Sequence, residues 1–185
     1  MEYNINRLTE KVDAYKKVLA NTIHFRNEWK GGLKEIIVKM LNDVISKTGL
    51  KAKLIHQAQV ENLEALILDL GKSSSGLVEN VENSDIHQIM IKHNGALIYQ
   101  QLFNGKVMVM IAVPFIEAYG EPKPPIALEI LRPDEIKPLF IIRHLETLLK
   151  EITDWEDYDD DQPDKKTIGF QPIGFNNSGP DLETL

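Results

Sequence analysis

Seam positions recur at alternating spacings of three and four residues through segment 4–48. This heptad pattern predicts a long N-terminal helix. Gly31-Gly32 interrupts the pattern and predicts a break, followed by a core helix from Leu33 to Lys47. The helix over residues 1–30 either packs its narrow seam on its own domain or pairs with a second copy. The seam positions are Ile5, Leu8, Val12, Tyr15, Leu19, Thr22, Arg26, Trp29, Leu33, Ile36 and Met40.

Two Asn-Gly pairs, Asn94-Gly95 and Asn104-Gly105, divide the apolar segment 86–116 into three parts. Asn-Gly is the pair that two-residue hairpin turns favour, because both of its residues tolerate positive φ. The segment is therefore predicted to form a three-strand antiparallel meander. Two-residue turns also fix the register, which places Gln101 opposite Met108 and Tyr99 opposite Met110.

In this register the two faces of the meander differ in composition. One face is rich in β-branched residues and is predicted to be the core face; it contains Ile89, Ile91, Ile98, Leu102, Val107, Val109, Ile111 and Val113. The other face contains the candidate ligand-binding residues Gln88, Met90, Tyr99, Gln101, Met108 and Met110. Three interpretations remain open for this second face: a packing layer beneath a helix, a subunit interface, or a small-molecule pocket.

The remaining patterns predict two strands over 53–60 and 63–70, a polar loop over 71–85, a strand over 126–131 and a helix that ends near Trp155. The expected fold is α+β, with an antiparallel sheet of five to six strands flanked by helices. The predicted organisation is an N-terminal helix over 1–30, a single domain over 31–155 and a tail over 156–185.

The net charge of −7 lies at the C-terminus. Residues 154–185 contain nine acidic side chains and two lysines, which account for the whole imbalance. A neutral domain with an acidic, Pro-, Gly- and Asn-rich tail does not provide the clustered cations that nucleic acids require. We expect no nucleic-acid partner, and a tail that is either flexible or a docking peptide.

No catalytic, metal or cofactor site is predicted. The chain has no cysteine, and no two histidines have a helical metal-binding spacing. Gly71-Lys72-Ser73 lacks the earlier glycine of a phosphate-binding loop, and the run from Asp157 lacks the glycine and glutamate of a calcium loop. The N-terminal segment has no signal-peptide pattern, and no apolar run is long enough to span a membrane. We therefore expect a cytoplasmic protein that is not membrane-bound.

The order of elements resembles that of GAF-type sensor domains. The resemblance rests on Val113-Pro114 after an apolar strand, on the strand Ile126–Leu131, on Asp134-Glu135 before the last helix, and on the helix from Leu33. It covers approximately residues 33–155, and profilin-like and roadblock-like domains share much of this order. The resemblance implies a fold, a pocket and pairing through terminal helices, but no particular ligand.

Two hypotheses for function follow. The first is a non-enzymatic regulatory or sensor-like domain that binds a small ligand or partner on the sheet face of Met90, Tyr99 and Met108. The second is a structural or adaptor subunit, which would form a homodimer through its N-terminal helix and dock partners with its tail.

Overall fold

The computed structural model describes residues 5–80 and 87–157 and confirms the α+β class. The helices are α1 (Asn6–Glu28), α2 (Lys34–Thr48) and α3 (Pro138–Glu156). The strands are β1 (Lys53–Gln57), β2 (Ala65–Asp69), β3 (Lys72–Asn80), β4 (His87–His93), β5 (Ala96–Gln101), β6 (Val107–Ala112), β7 (Phe115–Ile116) and β8 (Ile126–Leu131). The predicted acidic tail lies almost entirely outside the described residues.

The predicted break between the first two helices is confirmed. A π-helical turn, Trp29–Leu33, joins α1 to α2, and Gly32 adopts a φ of 147° inside it. Only glycine populates this conformation without strain, which is why the helical pattern bends at the Gly-Gly pair. Gly49 then ends α2 in the left-handed conformation, and its amide donates to the carbonyl of Ile45.

The strands form two antiparallel sheets. Sheet A has the order β1-β2-β5-β6-β8, and sheet B has the order β3-β4-β7. β2 pairs with β5 in sheet A, and β3, which follows β2 directly, pairs with β4 in sheet B. The register continues across the junction, because Asp69 faces Ala96 and Lys72 faces His93. The two sheets are therefore joined by a long, bent two-stranded ribbon.

The prediction that Asn94-Gly95 forms a hairpin turn is wrong, because these two residues pair with the junction between β2 and β3. The amide of Asn94 donates to the carbonyl of Gly71 (3.0 Å), and the amide of Leu70 donates to that of Gly95 (3.1 Å). Both glycines have positive φ, so both strands can turn at the same level without losing their pairing. β4 consequently pairs with β3 and β7 and not with β5.

The predicted loop over 71–85 is also wrong where the structure describes it, since Lys72–Asn80 forms β3. Its serines occupy an edge strand, where one face of the strand stays polar. Residues 81–86 lie outside the described residues.

The Asn104-Gly105 hairpin is present, but its loop is longer than predicted. The amide of Leu102 donates to the carbonyl of Lys106 (2.8 Å), and Gly105 has a φ of 78°. This three-residue loop with a left-handed glycine shifts the register by one residue. Tyr99 now faces Val109, and Gln101 faces Val107. A shift of one residue moves each side chain to the opposite face, so the predicted faces of β5 are exchanged.

The core lies between sheet A and helices α2 and α3. One face of the sheet contributes Leu66, Leu68, Leu97, Tyr99, Val107, Val109, Ile111 and Leu131. The helices contribute Ile37 and Leu41 from α2 and Ile141, Leu145 and Leu148 from α3. Trp29, at the break after α1, is fully buried in the same cluster and ties the N-terminal helix to the domain.

Candidate functional site

Among the described residues, helix α1 is buried against the domain at its C-terminal end. Phe25 is its buried residue, and the guanidinium of Arg26 donates to the carbonyl of Phe103 at 2.5 Å. Gly105 lies against the same stretch, because a Cβ there would come within 2.8 Å of Phe25 and 3.0 Å of the carbonyl of Thr22. The β5–β6 turn therefore holds the base of α1 and leaves the preceding turns uncovered.

The uncovered turns of α1 carry a stripe of exposed apolar side chains, which we name the α1 seam. Its members keep between 41% and 63% of their surface exposed: Ile5, Leu8, Val12, Tyr15, Val18, Leu19 and Ile23. At 1.5 Å per residue the seam is about 27 Å long. Most of the stability of a helix in a protein comes from packing of its apolar face, and contiguous exposed apolar patches mark interaction sites. The seam is the principal candidate for a functional surface.

The same spacing of three and four residues continues into the domain. Thr22 and Arg26 lie beneath the β5–β6 turn, and Trp29 and Leu33 are buried. The pattern is therefore one stripe, whose second half is covered by the chain itself. The exposed first half could be buried in the same way by packing against another apolar surface.

The second apolar surface is the face of sheet A that points away from the core. The register places Ile55, Ile67, Ile98 and Met110 in one row across four strands, with Met108 and Ile130 beside it. Ile130 is 54% exposed and the others are partly exposed. Helices α2 and α3 pack on the core face, so this open face has no helical layer from the described residues.

The six predicted ligand-binding residues do not share a face. Tyr99 and Gln101 are fully buried on the core face of β5. Met108 and Met110 lie on the open face of sheet A, and Gln88 and Met90 lie on β4 in sheet B. The prediction of one Met, Gln and Tyr face is wrong, because the two Asn-Gly loops do not have the two-residue geometry on which it depended. Ligand binding by these residues individually stays a prediction.

Tyr99 instead belongs to a buried polar network with α3 and β8. Its hydroxyl lies 3.0 Å from Nδ1 of His144, and Nε2 of His144 lies 2.5 Å from a carboxylate oxygen of Glu129. Arg143 forms an ion pair with the same Glu129 oxygen. In the neutral imidazole, Nε2–H donates to Glu129 and Nδ1 accepts from Tyr99, so each ring nitrogen has one partner. This arrangement fixes α3 against the sheet.

Burial governs the protonation of the network. Burial lowers the pKa of His144 below its ordinary value even though the Glu129 carboxylate acts in the opposite direction. Burial also raises the pKa of Tyr99, with a smaller contribution from Glu129. Burial opposes ionisation of Glu129, but the hydrogen bonds from His144 and Arg143 prevail and lower its pKa. The network therefore holds a neutral imidazole beside an ionised carboxylate.

Gln101 differs from Tyr99 because its buried amide has no partner. Its side-chain nitrogen and oxygen are both buried without a hydrogen bond to any described residue. Its backbone amide donates normally to the carbonyl of Glu64 (2.8 Å). The unpartnered amide is an energetic cost in the core and not part of a polar site.

A third feature is a groove between α2 and β1, with a volume of about 410 Å³. Val38, Leu54 and Leu66 make its apolar part, and its polar part carries the cations Lys34 and Lys39, the carboxylate Glu35 and the imidazole His56. A concave site with apolar walls and a few polar groups is the general form of a small-ligand pocket.

The largely buried carboxylate of Glu64 organises one end of this groove. One oxygen lies 2.8 Å from Nε2 of His56, 3.2 Å from Nζ of Lys34 and 3.3 Å from the indole nitrogen of Trp29. Burial opposes ionisation of Glu64, but these three hydrogen bonds together lower its pKa. His56 and Lys34 are thereby committed to a structural contact, while Lys39 makes no hydrogen bond or ion pair within the described ranges.

Within residues 5–80 and 87–157, no cluster of three His, Asp or Glu side chains has a geometry that could hold a metal ion. None of the helices in these ranges is both long and apolar enough to cross a membrane. Comparison with family models, curated proteins and solved structures finds no match for this chain. The resemblance to GAF-type domains therefore stays a prediction.

Sequence reasoning found the α1 seam and missed the other two surfaces. The open face was missed because it depends on a register that the long Asn104-Gly105 loop sets. The groove was missed because Lys34 of α2, His56 of β1 and Glu64, just before β2, have no common spacing. The alternation of Ile55 and Ile67 in two short strands was the one available signal for the open face.

Proposed function

We propose that this protein is a structural or adaptor subunit that self-associates through α1. The observation that carries the proposal is the α1 seam, whose seven apolar side chains each keep more than two fifths of their surface exposed. Apolar residues at spacings of three and four form a stripe that another helix with the same spacing covers well. A second copy of the chain supplies such a helix.

A symmetric pair also satisfies both copies at once. In a two-fold dimer the same patch is used on each chain, so no surface of α1 is left over. The face of α1 opposite the seam supports this arrangement, because it carries Glu10, Lys17 and His24, which remain solvated. The acidic tail, which the domain prediction placed at 156–185, would then be displayed twice for docking to partners.

The test is the molar mass of the full chain in solution, measured by light scattering over a range of concentrations. We expect a dimer at high micromolar concentration. The double variant Leu8→Glu and Leu19→Glu places four charges in the interface, and we expect it to be monomeric. A dimer affinity at least about a hundredfold weaker than that of the natural chain corresponds to about 2.8 kcal/mol, which is modest for charges buried between helices.

The matched control is the double variant Glu10→Lys and Lys17→Glu, which changes charges on the solvated face of the same helix. We expect it to dimerise like the natural sequence. Circular dichroism would verify that the domain is folded in each variant. A monomeric natural chain at the highest concentration would contradict the proposal, and so would a dimer that survives the Leu8 and Leu19 changes.

A second candidate function, sensor-like binding of a small ligand, is favoured by the groove between α2 and β1. Its volume of about 410 Å³ falls in the range of ligand pockets. Val38, Leu54 and Leu66 provide an apolar floor, and Lys39 provides a cation that forms no ion pair with the described residues. These features fit a medium-chain carboxylate, whose tail would lie on the floor and whose charge would face Lys39.

Titration calorimetry with decanoate tests this candidate. We expect binding to the natural chain, a loss of at least about tenfold in affinity for Val38→Trp, which fills the groove, and a smaller loss for Lys39→Gln. The matched control is Lys47→Gln, which removes a cation from the end of the same helix outside the groove. Equal affinities for all four proteins, or no binding to any of them, would count against the groove as a ligand site.

A further inference from the structure

The residues along α1 favour one direction of helix pairing over the other. This inference rests on the self-association proposed above. In a two-stranded pair, Leu8 and Tyr15 occupy one set of facing positions, and Ile5, Val12 and Leu19 occupy the other. Residues beside these facing positions then contact the second helix and determine its orientation. The flanking positions are Thr9, Lys16 and Ile23 on one side and Lys11, Val18 and Phe25 on the other.

Parallel pairing brings like charges together. A parallel arrangement places Lys11 of one copy next to Lys16 of the other, and symmetry repeats this contact. None of the flanking positions carries an acid that could pair with either lysine across the two helices. The ion pair of Lys16 with Asp13 of its own helix (3.5 Å) is exposed to solvent and offsets the charge of Lys16 only in part. Parallel pairing would also put Val18 next to Ile23, so apolar contact alone does not select the orientation.

Antiparallel pairing removes the charge contact. With Val12 opposite Tyr15 of the second copy, Leu8 faces Leu19 and Ile5 faces Thr22. Lys11 then lies beside Val18 and Lys16 beside Thr9. The alkyl stems of the lysines can cover the seam while their ammonium groups reach water.

The position of the domain favours the same orientation. Each domain is attached at the C-terminal end of α1, near Phe25 and Trp29. Antiparallel pairing places the two domains at opposite ends of the helix pair and leaves the whole seam accessible. Parallel pairing would bring both domains to one end.

Phe103 provides an independent indication of what lies at that end. It is 74% exposed at the tip of the β5–β6 turn, and its carbonyl is held by Arg26 at the base of the seam. In the antiparallel pair the first turn of the second helix, which carries Ile5, reaches this level, because Ile5 faces Thr22. Thr22 in turn contacts the Gly105 position of the same turn.

We infer that the α1 helices of two copies pair antiparallel, with Leu8 facing Leu19 and with Ile5 packing near Phe103 of the second copy. The α1 seam of one copy therefore packs on the α1 seam of the second copy, which runs in the opposite direction. Each domain completes the apolar cover of the other chain's N-terminal turn.

The absence of cysteine allows a direct test on the full chain. Leu8→Cys and Leu19→Cys are prepared as separate single variants, mixed under reducing conditions and then oxidised in a glutathione buffer. Antiparallel pairing predicts disulfides between the two variants and at least about a tenfold excess of these over disulfides within either variant. Lys17→Cys, on the solvated face, is the control for random collision.

Because a cysteine at a facing position weakens packing, a second pair of variants leaves the facing residues Leu8 and Leu19 intact. Lys11→Cys and Val18→Cys lie beside the facing positions and are joined by a short bismaleimide. Mixed products between these two variants support the antiparallel pair. Products of Lys11→Cys mixed with Lys16→Cys, in excess over these, support the parallel pair.

The outcomes separate the two proposals. Disulfides within Leu8→Cys alone, with a dimer mass under reducing conditions, overturn the antiparallel orientation and leave self-association intact. A dimer mass with no specific cross-link at either pair overturns the orientation and places the interface outside the seam. A monomer mass with no cross-links overturns both proposals.

Discussion

At the residue scale, Gln101 is a polar side chain whose buried amide has no hydrogen-bond partner among the described residues. An unsatisfied buried amide costs about 1–3 kcal/mol, and methionine has nearly the same length without the polar atoms. We predict that Gln101→Met raises the free energy of unfolding by about 1 kcal/mol, measured by urea denaturation. Gln100→Met is the matched control, because the Gln100 amide donates to the carbonyl of Leu63 at 3.0 Å, and it should not stabilise the protein. A loss of stability in Gln101→Met would show that the amide is satisfied by another group.

Also at the residue scale, His144 makes stability depend on pH. Its pKa is lowered in the folded state because of burial, so the unfolded chain binds more protons as pH falls below about 6.5. The contribution of the neutral His144 to the free energy of unfolding is therefore fully present above that pH and is lost as the pH falls below it. We predict that the loss of unfolding free energy between pH 7.5 and pH 5.5 is smaller in His144→Gln than in the natural chain. Superimposable profiles for His144→Gln and the natural chain would contradict the prediction.

At the element scale, the docking of α1 depends on Gly105. A Cβ there would approach Phe25 to 2.8 Å, and the φ of 78° is already unfavourable for alanine. We predict that Gly105→Ala lowers the free energy of unfolding by about 2–3 kcal/mol, whereas Gly49→Ala lowers it by about 1 kcal/mol. Gly49 is the matched control because it has a φ of 71° with no atom within 4 Å of an added Cβ. Equal losses in urea denaturation would mean that close packing of α1 on the turn contributes little.

Elements that depend on local periodicity were predictable from the sequence. The heptad spacing and the Gly31-Gly32 interruption located α1, α2 and the break between them, because helix contacts repeat within one or two turns. The last helix was predictable for the same reason, and the strand over 126–131 was predictable because a short apolar run lies between turn residues. What decided the remaining strands was pairing between distant segments, which a single sequence does not specify.

The two Asn-Gly pairs illustrate this limit. Both permit positive φ, but Asn94-Gly95 bends a strand between two sheets while Asn104-Gly105 closes a three-residue loop. The difference lies in the partner of Asn94, which is Gly71, more than twenty residues away. The predicted ligand-binding face failed because the three-residue Asn104-Gly105 loop shifts the register by one residue, which places Tyr99 and Gln101 in the core. The α1 seam was predictable because it lies within one helix.

At the scale of the whole molecule, the proposed self-association through α1 predicts a contribution to stability that depends on protein concentration. A second copy that binds the folded chain and not the unfolded chain raises the unfolding midpoint as the protein concentration rises. We predict that the thermal midpoint of the natural chain increases by several degrees between low and high micromolar concentration, while that of the Leu8→Glu and Leu19→Glu double variant stays constant. The double variant Glu10→Lys and Lys17→Glu should follow the natural chain, since its changes lie on the solvated face. Differential scanning calorimetry measures all three proteins, and a concentration-independent midpoint in the natural chain would mean that the exposed seam is not covered by a second copy.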